Sequence, residues 1–242
     1  MFKIIKLLLL FIFLLFLGYW SLIEFPSFLF SHKYKNANLT VYSDKPIPSS
    51  IERITDEVLI RLNKSSLFNK DRTYSVYISN EIWRWNLISY PANLTTGVGG
   101  FNAGFHGNAF IRPSIISENK IIPPGSYILD AKQRDLVYFI THEVMHALLY
   151  DEVGYISNFI KYPKWFQEGY PDYIAKENFN FKNNLMQFKK NEKRLTVQSG
   201  LYVRYHLYMT YLIDIKKQSI QEIIKNTPKE SDIILSLKSL NL

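Results

Sequence analysis

The chain has 242 residues, 47% of them hydrophobic, 16% aromatic and 21% charged. Large apolar groups in that proportion repay the entropy of ordering, so a disordered tail is excluded, and the length suits one globular domain. Cysteine is absent, which excludes disulfides, thiolate nucleophiles and cysteine-based zinc or iron–sulfur sites; the net charge of +8 is scattered, forms no nucleic-acid module, and excludes nucleic acid as an expected partner.

Lys3 and Lys6 precede an uncharged apolar run from Leu7 to Ile23. As a helix this run reaches about 25 Å, enough to cross a hydrocarbon core narrowly. Residues 1–24 are therefore predicted to form a membrane anchor or signal segment. The positive-inside rule puts the first residues in the cytoplasm and everything after Glu24 outside, with Tyr19 and Trp20 at the outer interface. The sequence from Gly18 to Ser21 makes a poor cleavage site, which favours a single-pass anchor over a cleaved signal and secretion. An exported domain without cysteine holds together without disulfide staples.

Pro26, Pro46 and Pro48, with several Ser and Asn, mark an irregular stretch. Residues 25–38 are expected to be a stem, and residues 39–242 a single domain that opens with a short strand at Leu39 to Tyr42. Ser49 and Glu52 have the spacing of a capping box, and Ile51, Ile54, Val58 and Leu62 recur at helical spacing, predicting a helix from about 50 to 63. Thr73 to Ser79 alternates as a half-buried strand does. Gly97, Gly99, Gly100, Gly104 and Gly107 lack the lysine and the strand-to-helix setting of a phosphate loop; they are expected to be turns leading into a strand at Asn108 to Arg112. After Pro123, Pro124 and Gly125, the residues Leu136, Phe139, Ile140, Val144, Ala147 and Leu148 predict a buried helix over Ala131–Tyr150, capped by Asp130. A second helix is expected with Pro163 in its first turn, and a third along Leu201, Tyr205, Tyr208, Met209 and Leu212. Lys182, Lys189, Lys190, Lys193 and Arg194 are expected to form a solvated face. Strands first and helices afterwards indicate an α+β domain, a mixed sheet followed by helices.

The predicted buried helix carries His142, Glu143, Val144, Met145 and His146, an H-E-x-x-H sequence. Histidines four apart project from one helix face and can reach one ion, while Glu143, about a hundred degrees round, can hold a water beside it. Downstream lies Trp165, Phe166, Gln167, Glu168, Gly169, Tyr170, Pro171, Asp172, Tyr173. Over Leu136 to Ala175 the chain resembles the gluzincins, the thermolysin-like and peptidase MA-type zinc metallopeptidases. That resemblance implies a zincin-like domain in which His142, His146 and Glu168 bind Zn2+, Glu143 is the general base, and Asp172 orients a metal-bound histidine. It further implies an oxyanion donor, for which Tyr155, Tyr205 and His206 are candidates, and an edge strand that pairs with substrate backbone, for which Asn108 to Arg112 is the candidate. Pro171 departs from the family's usual Ala and is expected to bend the helix just beyond Glu168. His32 and His106 have no partner at ligand spacing and are expected to be surface residues.

The function expected on this basis is a membrane-anchored zinc metalloprotease outside the cytoplasm, acting on peptide or protein substrates. The alternative is a catalytically silent module of the same fold that binds or assembles at the cell envelope. A purely structural zinc is disfavoured, since no fourth protein ligand is evident.

Overall fold

The computed structural model describes residues 2–90, 98–122, 134–199 and 201–240. Helix α1 (Phe2–Glu24) opens the chain. Its segment Lys3–Glu24 has a mean hydropathy of 2.3 and is long and apolar enough to cross a membrane or to serve as a signal sequence. A 3-10 turn at Pro26–Leu29 then leads into strand β1 (His32–Asn36), which pairs with β2 (Leu39–Ser43) as an antiparallel hairpin. The stretch expected to be a stem thus supplies a strand. Its polar residues gave no apolar alternation to announce one, because β1 lies at the sheet's margin.

Helix α2 (Ile51–Leu62) crosses from β2 to β3 (Tyr74–Ile78), and α3 (Ile82–Ser89) follows. Strands β4 (Gly100–Ala103) and β5 (Asn108–Ile111) complete the main sheet, with β6 (Ser114–Ile115) and β7 (Lys120–Ile121) forming a separate pair. The main sheet runs β1-β2-β3-β5-β4, parallel in its middle and antiparallel at both margins. Asn108–Arg112 is therefore not the edge strand: β5 lies between β3 and β4, and the edge on that side is β4, part of the glycine-rich stretch expected to be turns.

Both sheet faces are covered. Val41, Val76, Ile78, Ala109 and Ile111 face a core shared with α2 and the later helices. On the other face Tyr42, Tyr77, Phe110 and Phe101 stand in register across four strands, with successive rings 4.8, 5.4 and 5.0 Å apart. Ile23, Phe30, Trp85 and Ile88 pack with this ladder. The alternation of Thr73–Ser79 suggested one wet face, but the end of α1 and α3 close over it.

Helix α4 (Leu136–Val153) is buried at every residue from Leu136 to Leu149. It begins five residues later than expected. Asp135 is the cap, its Oδ1 accepting from the Tyr138 amide at 2.7 Å, while Asn119 accepts from the Leu136 and Val137 amides. Asp130, Ala131 and the turn at 123–125, like Gly97, lie outside the described residues. The Ser49/Glu52 capping box is not made either: Ser50 already has helical dihedrals, and the carbonyls of Pro48, Ser49 and Ser50 take the first free amides of α2.

After α4 come α5 (Tyr155–Lys161), not anticipated, and α6 (Lys164–Ala175), with Pro163 just before its first turn as the N-cap. Helix α7 (Phe181–Lys189) follows, and α8 (Val203–Thr210) continues as a π-helical turn over Tyr211–Ile215. Short helices α9 (Ile220–Lys225) and α10 (Glu230–Ser239) end the described chain. Lys182, Lys189, Lys190 and Lys193 are exposed as expected, whereas Arg194 is half-buried and donates to Asn184 Oδ1 at 2.7 Å. The architecture is a mixed α+β fold in which α4 lies between the sheet and the C-terminal helices.

Candidate metal centre

Residues Tyr138, His142, His146 and Tyr150 stand four apart on α4, and each ring meets the next at 5.5, 5.0 and 6.2 Å. Four residues turn an α-helix through only about 40° beyond a full circle, so this spacing makes a continuous stripe. From α6, Glu168 reaches the middle of the stripe. Its Oε2 lies 3.4 Å from His142 Nε2 and 3.7 Å from His146 Nε2. One ligand atom from each of the three residues lies within 4.8 Å of the others, so the group could hold a metal ion. All three sequence-predicted ligands are therefore brought together. Pro171 does not disturb this: α6 runs on through it to Ala175.

Glycine permits the close packing behind Glu168. A Cβ on Gly169 would lie 2.9 Å from the Tyr205 carbonyl oxygen, so only glycine lets α6 and α8 approach this closely. A buried polar network lies beside the metal group. Asp172, fully buried, accepts from Tyr138 Oη at 2.6 Å and from His206 Nδ1 at 2.9 Å, tying α4, α6 and α8 together. This corrects one expectation: Asp172 does not orient a histidine of the metal group. His206 bonds Asp172 through Nδ1, and its ring stacks 3.8 Å from Phe179. Neither His142 Nδ1 nor His146 Nδ1 has a hydrogen-bond partner among the described residues.

Glu143 points to the sheet side. Its carbonyl accepts from Asn102 Nδ2 at 2.9 Å, and its side chain fills the space over Gly100, where a Cβ would lie 2.9 Å from Glu143 Cγ. The edge strand β4 is thus fastened along the helix next to this carboxylate.

Burial pushes the Glu143 carboxyl up to about 7, the nearby charge of Glu168 adding to the effect against the pull of His142. Burial likewise lowers His146 to about 4. For His142 burial opposes the charged form, but the carboxylates of Glu168, Glu143 and Asp172 outweigh it and raise the group above its ordinary value. Burial also works against a charge on Glu168, yet the hydrogen bond and charge of His142, with His146 and Lys164, hold its carboxyl below the usual range.

Two tyrosines that sequence reasoning did not single out flank the ligands. Tyr150 lies over His146, and Tyr202 stacks on His142 at 5.7 Å with ring planes 5° apart. Tyr202 has a left-handed backbone (φ 56°), a strained state for a bulky residue, at the entry to α8. Its position left no local signal, whereas Tyr150 was legible as the residue four beyond His146. Of the expected oxyanion donors, Tyr155 packs on Tyr150 at 5.0 Å and Tyr205 on Tyr202 at 6.2 Å, one ring removed from the histidines. His106 is exposed but does have a partner, Glu24 Oε2, 2.6 Å from its Nδ1. His32 lies half-buried on β1. No protein-family model matches the chain, and no curated protein matches it in sequence.

Proposed function

We propose that the protein is a zinc-dependent metallopeptidase with a zincin-like domain held outside the cytoplasm by α1. The observation that carries this reading is the convergence of His142, His146 and Glu168 beside a buried Glu143. Ligand atoms about 2.0–2.2 Å from one tetrahedral zinc stand roughly 3.3–3.6 Å from each other. The separation of 3.4 Å between Glu168 and His142 falls within that spacing and the 3.7 Å to His146 just above it, and both exceed the usual 2.7–2.9 Å of a charge-assisted hydrogen bond. With three protein ligands, a zinc ion held there supplies Lewis acidity and a fourth position for water whose pKa falls towards neutrality.

The remaining work belongs to this chain's side chains. Glu143, held near neutrality by burial, accepts a proton from the attacking water and returns it to the departing amine. Asn102 fixes the backbone of Glu143 while β4 offers its free edge to an extended substrate, in place of the strand expected for that role. Tyr150 and Tyr202 cover the histidines and join Tyr155, Tyr205 and His206 as candidates to hold developing oxygen charge.

Support for a retained anchor comes from the end of α1. Ile23 and Glu24 are buried, and Asn108 Nδ2 donates to both their carbonyls. Cleavage of a signal before this point would remove Tyr19, whose hydroxyl donates to the carbonyls of Ile88 and Tyr90.

The test is metal analysis of the purified full chain together with peptide cleavage by wild type and Glu143→Gln. About one equivalent of zinc, with cleavage abolished in the variant, is expected. Zinc without cleavage of a broad peptide library would overturn the peptidase in favour of a silent binding module, and absence of bound metal would overturn both. Intact mass of the mature protein tests the anchor, which loss of roughly the first two dozen residues would refute.

A further inference from the structure

Helix α1 is bare from Ile4 to Leu17 and clasped by the domain from Tyr19 onward. The bare part rises about 21 Å, well short of a hydrocarbon core of roughly 30 Å. A bilayer crossed by α1 must therefore reach past Leu17, to the turns where the helix lies against the domain.

The domain surface at those turns is apolar. Trp20 meets the exposed Phe105 at 5.4 Å, and Phe105 meets Tyr155 of α5 at the same distance. Helix α5 is built inside out: it buries Asn158 and exposes Ile156, Phe159 and Ile160, whose i, i+3, i+4 spacing is that of a single face. A water-facing helix has the opposite arrangement, whereas one lying in a membrane interface has this one. On the other side, α3 receives Tyr19 at its C-terminal end and exposes Ile82, Trp83 and Leu87. Single exposed apolar side chains are ordinary, but two helices presenting them around the exit of an apolar helix are not.

We propose that α3, α5 and Phe105 form a rim that rests in the headgroup region of the bilayer crossed by α1. The proposal rests on the reading of α1 as a membrane span. It deepens the functional reading, since Tyr155 and Phe159 both meet Tyr150, the ring over His146, and this brings the metal group to the lipid surface.

The absence of native cysteine makes single-site spin labelling direct. Leu10→Cys, Trp83→Cys, Ile160→Cys and Leu235→Cys are each labelled in the full chain, reconstituted in phosphatidylcholine–phosphatidylglycerol vesicles. The accessibility of each label to oxygen and to a water-soluble nickel complex is then compared. All four side chains are exposed, so the substitutions spare the core, the Arg84 guanidinium over the Trp83 ring being the one cation–π contact removed, and Leu235, an apolar residue of α10, is the aqueous reference. The expected result is an oxygen-to-nickel ratio at positions 83 and 160 that lies between the high value at 10 and the low value at 235. A lipid signature at 10 with an aqueous one at 83 or 160 overturns the rim and leaves the anchor standing. An aqueous signature at 10 overturns both.

Discussion

Removing the carboxylate of Asp172 tests whether the three helices around the metal group are held by a buried ionic network. In Asp172→Ala the Tyr138 hydroxyl and the His206 ring nitrogen, both buried, lose their acceptor. Hydrogen bonds to charged groups contribute about 1.5–3 kcal/mol each, so the loss is about 3–6 kcal/mol, a large part of the 5–15 kcal/mol that a folded protein has in reserve. At about 2–4 °C per kcal/mol for a chain of this size, the melting temperature falls by about 6–24 °C. Asp172→Asn keeps an acceptor for Tyr138 and loses less, about 1–2 kcal/mol. Thermal unfolding of the full chain in detergent micelles at neutral pH, followed by circular dichroism, measures both. Burial alone would raise the Asp172 carboxyl, but the Lys176 ammonium and the His206 hydrogen bond hold it far below its ordinary value. A depressed carboxyl contributes stability that is present above the unfolded pKa near 4 and lost as pH falls through the folded one. The carboxylate's contribution is therefore fully present at neutral pH, and the gap between wild type and Asp172→Ala narrows as pH falls below about 4. A melting temperature for Asp172→Ala within two or three degrees of wild type would refute the reasoning, because it would mean that the carboxylate is solvated.

Three further outcomes are expected. His146, lowered to about 4, is already neutral at pH 6, whereas His142 is raised above its ordinary value and must lose its proton to bind a metal. Metal binding to the metal-free protein should therefore weaken as pH falls from neutrality, with the release of one proton rather than two, as calorimetry in buffers of different ionisation enthalpy would record. Gly100→Ala puts a methyl against Glu143 Cγ, at 2.9 Å, and Ile111 Cδ1, at 3.0 Å. It should lower kcat of the proposed peptidase by more than tenfold while metal content is unchanged, as steady-state kinetics and metal analysis would reveal. Gly169→Ala drives a methyl into the Tyr205 carbonyl and should cost about 1–3 kcal/mol, visible as a lower melting temperature and weaker metal retention.

Local rules made much of the molecule legible in the sequence. The apolar run behind Lys3 and Lys6, the two histidines four apart and the helical periods of α2, α4 and α8 depend only on residues within a few turns of one another. Such relations are set by helix geometry and hydrophobic patterning alone. That Glu168 would lie with the two histidines was also expected, through the resemblance carried by its neighbours Trp165, Gly169 and Asp172, and the three do come together. Sequence was silent or misleading wherever the partner lay far along the chain. Asp172 was expected at a metal-bound histidine and instead joins Tyr138 to His206, each 34 positions away. The edge strand was placed at Asn108–Arg112, whereas pairing order gives that position to β4, since alternation records which side of a strand is buried and not which strands flank it.

The residues of α5 illustrate the same division. Ile156, Phe159 and Ile160 have the spacing of a helix that hides an apolar face, and only the packing of Asn158 inward and of Phe105 beside Tyr155 turns that face out. The chain's own order of residues determined which side chains can share a helix face and that an apolar helix leads the chain. Tertiary structure decided which of those faces meet, because contacts between distant segments arise from the summed burial of the whole core and from no property of either segment alone.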